Sequence, residues 1–386
     1  MRRLRIGWWL LAGLFALLAF CVLFLVSRRP PFRVAVLVNL SGPGGKAGRY
    51  IRDGILYAME EESRGCPVKF VPVVKDYDET DEKLKECIDE LLEEGVWVAL
   101  GPVTSRASRV AVSHLREKGW GLMLLTAYAA TTELSGKKDL FIRTSVDNAL
   151  FVKALERWME KSGVKRLFVV VDEVNPDFAV DIYRNIEKDA HGALRLEDLE
   201  AVSFNSKKEM DFDRIVERVL KASPDAVLLI TRSRETAILA KKLRDKGYKK
   251  YLVGTIWTQT PDLIRWGGDA VEGFVVISFV SPSYNTPVFE RLSRGFKKRM
   301  GYPLNARAIR AVELVQVLCS AVKRVYASGG RLSLETLASS ILGHCFNGTV
   351  MGRVCIDENG DAVRPVFESV VERGRFVKKG VLIGNP

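Results

Sequence analysis

Three histidines, His114, His191 and His344, are all that the 386 residues hold, and none stands with a serine or cysteine in a nucleophile pattern. Neither His-Glu-x-x-His nor Gly-x-Ser-x-Gly occurs, so zinc peptidase and α/β-hydrolase chemistry have no support. The acidic run Asp76–Asp81 has the composition of a turn and helix cap. Six cysteines (Cys21, Cys66, Cys87, Cys319, Cys345, Cys355) include no C-x-x-C pair, which argues against zinc-ribbon and thioredoxin-like readings. One phosphate-type pattern does occur. Gly42-x-Gly44-x-x-Ala47, between an apolar run and a helical pattern, fits the dinucleotide fingerprint. The acidic residue that should follow about 20 positions on is not well placed, since Asp76 comes later. An NAD-dependent oxidoreductase is thus a remote alternative. No catalytic residue, metal or cofactor is expected.

What the chain offers is hydrogen-bonding capacity without reactive groups. Glycine, serine and threonine dominate the loops Asn39–Gly45, Gly101–Ser105 and Thr126–Thr132, and Asp172–Phe178 and Thr231–Ser233 occupy similar places in the second half. Backbone N–H groups and hydroxyls at such loops suit a carboxylate or another polar ligand. Each singled-out side chain has a structural alternative. Thr131 suits a helix cap as well as a ligand contact. Phe178 and Trp257 are core packing or pocket walls, and Arg232 is a surface ion-pair partner or a cation in the mouth of a site.

These loops need elements to hold them. β-rich apolar runs (33–40, 68–74, 96–100, 122–126) alternate with helical patterns, such as Ile51, Ile55 and Met59 on one face. The alternation restarts at 166–171 and continues through 226–230 and 251–254. It predicts an α/β fold of two similar lobes, each a mainly parallel sheet flanked by helices. In such sheets ligands bind beyond the carboxyl ends of the strands, where the loops above lie. At 386 residues and 47% hydrophobic the chain can fill two cores.

Net charge is +12, but Arg2, Arg3, Arg5, Arg28 and Arg29 flank a single uncharged apolar segment, residues 7–26. The remaining positive surplus is thin, able to attract anionic lipid headgroups or acidic partners. No Lys/Arg cluster with interleaved aromatics marks a nucleic-acid interface. Twenty uncharged residues are long enough to span a bilayer, and Trp8 and Trp9 sit where indoles favour the interface. No convincing cleavage site follows, so an uncleaved transmembrane anchor is expected, with the bulk of the chain outside the cytoplasm. Cys345 and Cys355, ten apart around a Gly-rich turn, either pair in an oxidising compartment or stay small buried hydrophobes.

Leu40-Ser41-Gly42-Pro43, Asp76-Tyr77-Asp78-Glu79, Val98–Ser105, Ala130–Lys137 with Phe141–Thr144, Trp257 with Thr260–Ile264, and Phe346-Asn347-Gly348 before Asp357–Gly360 occur in one order. Over roughly residues 33–375 the chain closely resembles the leucine/isoleucine/valine-type periplasmic solute-binding proteins, receptors of ABC importers. The resemblance implies the class I periplasmic binding protein fold. Residues 33–145 with 279–345 would form lobe one and 146–278 with 346–386 lobe two, after a membrane segment at 1–32. Three crossings near Arg143–Asn148, Thr255–Phe279 and Phe346–Gly352 would let the lobes close on a ligand. It further implies that Ser41, Thr104, Ser105, Ala129 and Thr131 face the ligand from lobe one, and Phe178, Arg232 and Trp257 from lobe two. The ligand would be an amino acid, of branched-chain type, or a related small carboxylate, and the partners the permease subunits of an importer. A sensor or partner-docking protein on the same fold is the alternative. Two departures stand out. Phe178 replaces a tyrosine common in amino-acid-binding members, and Ile256 lies beside Trp257 where an acidic partner for an ammonium is usual.

Overall fold

A computed structural model describes residues 29–384 apart from 43, 191, 193 and 209. The anchor expected over residues 7–26, and Cys21 within it, lie outside the described residues; among the described residues no helix is long and apolar enough to cross a membrane. The first half alternates strand and helix: β1 (Pro31–Val38), α1 (Gly45–Ser63), β2 (Lys69–Asp76), α2 (Asp81–Glu93), β3 (Val98–Leu100), α3 (Ser105–Glu117), β4 (Met123–Thr126) and β5 (Phe141–Arg143). These strands form a parallel sheet in the order β2-β1-β3-β4-β5. Val34 and Val36 feed one core and Ala35 and Leu37 another. Burial on both faces is why the strand reads as a continuous apolar run.

After α4 (Asn148–Ser162) the pattern repeats with β6 (Arg166–Asp172), α5 (Pro176–Asp189), β7 (Asp198–Phe204), α6 (Phe212–Ala222), β8 (Ala226–Ile230), α7 (Ser233–Asp245), β9 (Tyr251–Gly254), α8 (Pro261–Gly267) and β10 (Val275–Ser278). The chain then leaves this sheet for α9 (Pro287–Met300), α10 (Ala306–Ala327) and α11 (Leu334–Ile341), of which α9 and α10 pack on α1. Strands β11 (His344–Thr349), β12 (Gly352–Ile356) and β13 (Ala362–Val363) make a small antiparallel sheet of their own. Finally β14 (Val366–Glu372) and β15 (Arg375–Ile383) add to β10 antiparallel, completing the order β15-β14-β10-β9-β8-β6-β7. Cys345 and Cys355 face each other across β11 and β12 and are disulfide-bonded, which settles the choice left open by their spacing. Cys66, Cys87 and Cys319 are free and buried.

Buried charge ties the passages between the two large sheets. Arg143, at the end of β5, is fully buried; its Nε donates to Asp361 Oδ1 at 2.8 Å and its Nη1 to the Thr131 carbonyl at 2.9 Å. Glu313, inside α10, receives both Arg364 Nη1 and, at 3.2 Å, Arg364 Nη2. The same Arg364 donates to the Thr144 carbonyl at 3.0 Å, and Glu313 also accepts from Thr349 Oγ1 at 2.8 Å. Helix α10, the 144 passage and both ends of the small sheet thus meet at one ion pair whose members are at most 2% exposed. Removing one partner would strand the other charge in a dry site. Glu313→Ala is expected to cost about 3–5 kcal/mol of stability, read from urea-unfolding midpoints at unchanged m-value.

Candidate functional site

A cavity of about 220 Å³ lies between the carboxyl-terminal edges of the two large sheets, where parallel sheets place their ligand loops. From the first sheet it is lined by Asn39 after β1, Asp81 opening α2, Thr104 capping α3 and Tyr128 after β4. The second sheet contributes Phe178, Lys207, Arg232, Trp257 and Phe279. Gly101 sits in the loop before Thr104 at φ +130°, and a Cβ there would fall 2.1 Å from the Leu37 carbonyl oxygen. Only glycine lets this loop turn so closely over β1.

Of the eight residues singled out from the sequence, Thr104, Phe178, Arg232 and Trp257 line the cavity. Phe178 and Trp257 stack at 4.4 Å between centroids and 24° between planes, forming a flat apolar wall. Thr104 Oγ1 is taken up by the cap, accepting from Ala107 N at 3.1 Å. Ser41, Ser105, Ala129 and Thr131 are not among the lining residues. Ser41 is exposed and donates to Asp76 Oδ2 at 2.7 Å. Burial raises the Asp76 pKa, but hydrogen bonds from Leu40, Ser41 and Asp78 outweigh it and leave this carboxyl below its usual value. Ser105 is fully buried and its Oγ accepts from Ala130 N at 3.0 Å. Ala129 accepts from Ser145 Oγ through its carbonyl. Thr131 Oγ1 accepts from Glu133 N at 3.3 Å.

The glycine turn of the dinucleotide-like pattern is filled by protein. A Cβ on Gly44 would lie 1.8 Å from Glu79 Oε1 and 2.5 Å from Asn39 Nδ2. A carboxylate therefore occupies the space the turn opens, which repels a pyrophosphate. Of the two described histidines, His114 meets Asp89 at 2.8 Å and His344 meets the Leu342 carbonyl at 2.8 Å.

Among the lining residues that escaped the sequence reading are Arg307 and Arg310. Arg307 lies in the first turn of α10 and Arg310 just beyond it, and the start of the helix is fixed by Asn305 Oδ1 accepting from Arg307 N and Ala308 N, both at 3.0 Å. Cations in a first helical turn oppose the helix dipole. That mismatch, Asn-Ala-Arg-Ala-Ile-Arg, was the readable signal. Arg310 donates to the carbonyls of Ala306 at 3.0 Å and Ala127 at 3.1 Å, and its guanidinium lies 4.4 Å from the Tyr128 ring centroid. Burial pushes the Arg310 pKa down to about 10, which leaves it charged at neutral pH, and lowers that of Arg307 as well. Among the described residues neither has an ion-pair partner, whereas the other lining cations do. Arg106 meets Asp81 at 2.8 Å, Lys207 meets Glu79 at 3.5 Å, and Arg232 stands 3.8 Å from Asp172. Five cations against two lining carboxylates, Glu79 and Asp81, give the cavity lining an excess of positive charge.

A two-sheet α/β receptor with its cavity between the carboxyl edges, polar and cationic but without a nucleophile, is a binding protein in form. The periplasmic binding protein family model matches residues 31–375, and the chain belongs to that family. Its members are non-enzymatic solute receptors. The chain is similar to the Leu/Ile/Val-binding protein homolog 4 of Brucella melitensis, 23% identical over 325 residues that cover 81% of this chain and 77% of that one. Its fold matches that of a leucine binding protein from Thermotoga maritima at TM-score 0.79 and 24% identity, covering 92% of this chain and 99% of the other. A Rhodopseudomonas palustris ABC transporter solute binding protein in complex with 3,4-dihydroxybenzoic acid matches at TM-score 0.79 and 18% identity, covering 92% and 98%.

The two sheets also touch directly around the cavity. Arg109 on α3 meets Asp177 on α5 at 2.9 Å, Lys46 meets Asp262 at 3.5 Å, and Lys207–Glu79 spans the same gap. Thr132 bonds Asp181 through N at 2.9 Å and through Oγ1 at 2.6 Å. The lysine pairs are exposed, each worth about 0.2–1 kcal/mol. Removing both (Lys46→Ala with Lys207→Ala) is expected to open the ligand-free protein. Small-angle scattering should show a larger radius of gyration than wild type, and an unchanged radius would refute a holding role.

Proposed function

We propose that this chain is the extracytoplasmic solute receptor of an ABC importer, and that it captures a small carboxylate with an apolar or aromatic body. The observation that carries the ligand class is the pair Arg307 and Arg310, without an ion-pair partner among the described residues and lining the same cavity as the stacked Phe178 and Trp257. A carboxylate on the guanidiniums replaces the missing partner with charge-assisted hydrogen bonds, and the stacked rings receive the body. Leucine and 3,4-dihydroxybenzoic acid, the ligands carried in the descriptions of two structural relatives, both present a carboxylate on such a body. Glu79 and Asp81 are already paired with Lys207 and Arg106, so an α-ammonium finds no free carboxylate on the wall. That favours an organic acid over an amino acid and disfavours cationic amino acids most. Thr104, Phe178, Arg232 and Trp257 would touch the ligand. Ser41, Ser105, Ala129 and Thr131, with their internal partners, fit the role of holding those loops in place.

Calorimetric titration with benzoate and with leucine tests this reading. Arg307→Ala and Arg310→Met should each remove about 1.5–3 kcal/mol of binding, a loss of roughly ten- to 150-fold. Unchanged affinity in both variants, or tighter binding of lysine than of either acid, would overturn it.

The same proposal places residues 7–26 in the membrane as an uncleaved anchor, with its permease partner in the same bilayer. The motive is their 20 uncharged residues. Intact-mass spectrometry of the protein from membranes is expected to return the full chain. A mature terminus near Ser27, or a lipid on Cys21, would sink the anchor.

A further inference from the structure

Two of the free cysteines, 253 residues apart in sequence, meet where the end of α1 away from the cavity packs on the middle of α10. Helix α1 closes in a turn whose Gly65 N and Cys66 N both donate to the Glu62 carbonyl, each at 3.0 Å. Gln316, Cys319 and Lys323 recur on α10 at the spacing of a single helix face, and that face meets the turn. Gln316 Nε2 donates to Glu62 Oε1 at 3.1 Å, and Lys323 Nζ stands 3.8 Å from where a Cβ of Gly65 would lie. Between these contacts Cys66 Sγ donates to the Cys319 carbonyl at 3.9 Å, and Cys319 Sγ lies 4.0 Å from the Glu62 carbonyl. Both cysteines are at most 2% exposed and sit in one apolar core.

The two thiols also hydrogen-bond each other. That bond lowers the pKa of Cys66 and, together with burial, raises that of Cys319. Cys87 keeps to its own place on α2, where its Sγ reaches the Asp76 carbonyl at 3.6 Å. Two sulfurs that already touch can be joined without rearranging the fold.

We propose that Cys66 and Cys319 are oxidised to a second disulfide, which staples the turn after α1 to the middle of α10. The inference rests on the extracytoplasmic location proposed above, where disulfides form and persist, and the chain carries one already in Cys345–Cys355. The oxidant is a disulfide, R–S–S–R. One cysteine thiolate attacks it, giving a mixed disulfide and releasing the first RS⁻. The second cysteine, as thiolate, attacks the chain's sulfur in that mixed disulfide and expels the second RS⁻. The two cysteines together give up two electrons and two protons, and the oxidant leaves as two thiols. Exchange takes place while α10 is still settling on the turn, since the finished site is closed to solvent. Helix α10 carries Arg307 and Arg310, and α1 carries Ala47 and Ile51, all lining the cavity. The staple therefore fixes two walls of the cavity to each other from behind.

Peptide mapping without reductant tests it on the unaltered full chain, isolated from the extracytoplasmic fraction and unfolded in an alkylating agent. A peptide pair joining Cys66 to Cys319 is expected, about 2 Da lighter than the two free peptides and separated by reduction, with Cys87 alkylated. Alkylated Cys66 and Cys319 beside an intact Cys345–Cys355 bond overturn the staple and leave the location standing. Alkylation of all four overturns the staple and the extracytoplasmic reading together. Unfolding gives a second measure. Reductant should lower the urea midpoint of C345A/C355A and leave that of C66A/C319A/C345A/C355A unchanged. A midpoint of C345A/C355A that ignores reductant would sink the staple.

Discussion

Arg364 can be buried only because Glu313 meets it, and that one pairing decides how the two large sheets are joined. Glu313 sits within the long helix α10, Arg364 within the final return of the chain, and the arginine also holds the Thr144 carbonyl of another passage. Three segments far apart in sequence therefore share one charge-neutral knot. An apolar knot could slide; a guanidinium facing a carboxylate at the centre of a dry contact has few alternative positions. The neighbouring Arg143–Asp361 pair repeats the device one passage away. Breaking the Arg364–Glu313 pair would leave a buried charge unanswered, whereas Arg143 also has Asp147 at 3.6 Å.

Much of this was legible in the sequence because parallel strands buried on both faces write themselves as unbroken apolar runs. Val98–Leu100 and Ala226–Ile230 are such runs, and the loops after them led directly to Thr104 and Arg232. Phe178 and Trp257 were readable as a wall but not as a stack, since their approach depends on two different strand ends. Arg307 and Arg310 were missed for a related reason. Helical periodicity shows which face of α10 is apolar, but not that its start abuts a cavity whose other walls come from segments between Asn39 and Phe279. The satisfied hydroxyl of Ser105 was equally invisible, because its partner is a backbone amide chosen by loop geometry, whereas the cap that takes up Thr131 was one of the two roles its sequence allowed.

The cavity works against the stability of the empty protein. Arg307 in the first turn of α10 opposes the helix dipole, with Arg310 just beyond it, and burial lowers the pKa of both. The Tyr128 ring offsets part of this for Arg310 through its π face. In the receptor proposed above, an entering anion relieves what remains, so the energy withheld from the fold is returned as affinity.

The ion pairs that bridge the gap, Lys207 to Glu79 and Lys46 to Asp262, have a kinetic consequence. In the receptor proposed above, a solute enters only while the cleft is apart, so association scales with the fraction of time these contacts are broken, and escape waits on the same event. Strengthening them would slow arrival and departure together and leave the equilibrium constant dominated by what the guanidiniums and the aromatic wall grip. Residence time, which decides whether a loaded receptor reaches its permease before losing its cargo, is thereby set at the rim, by groups that need not touch the solute at all.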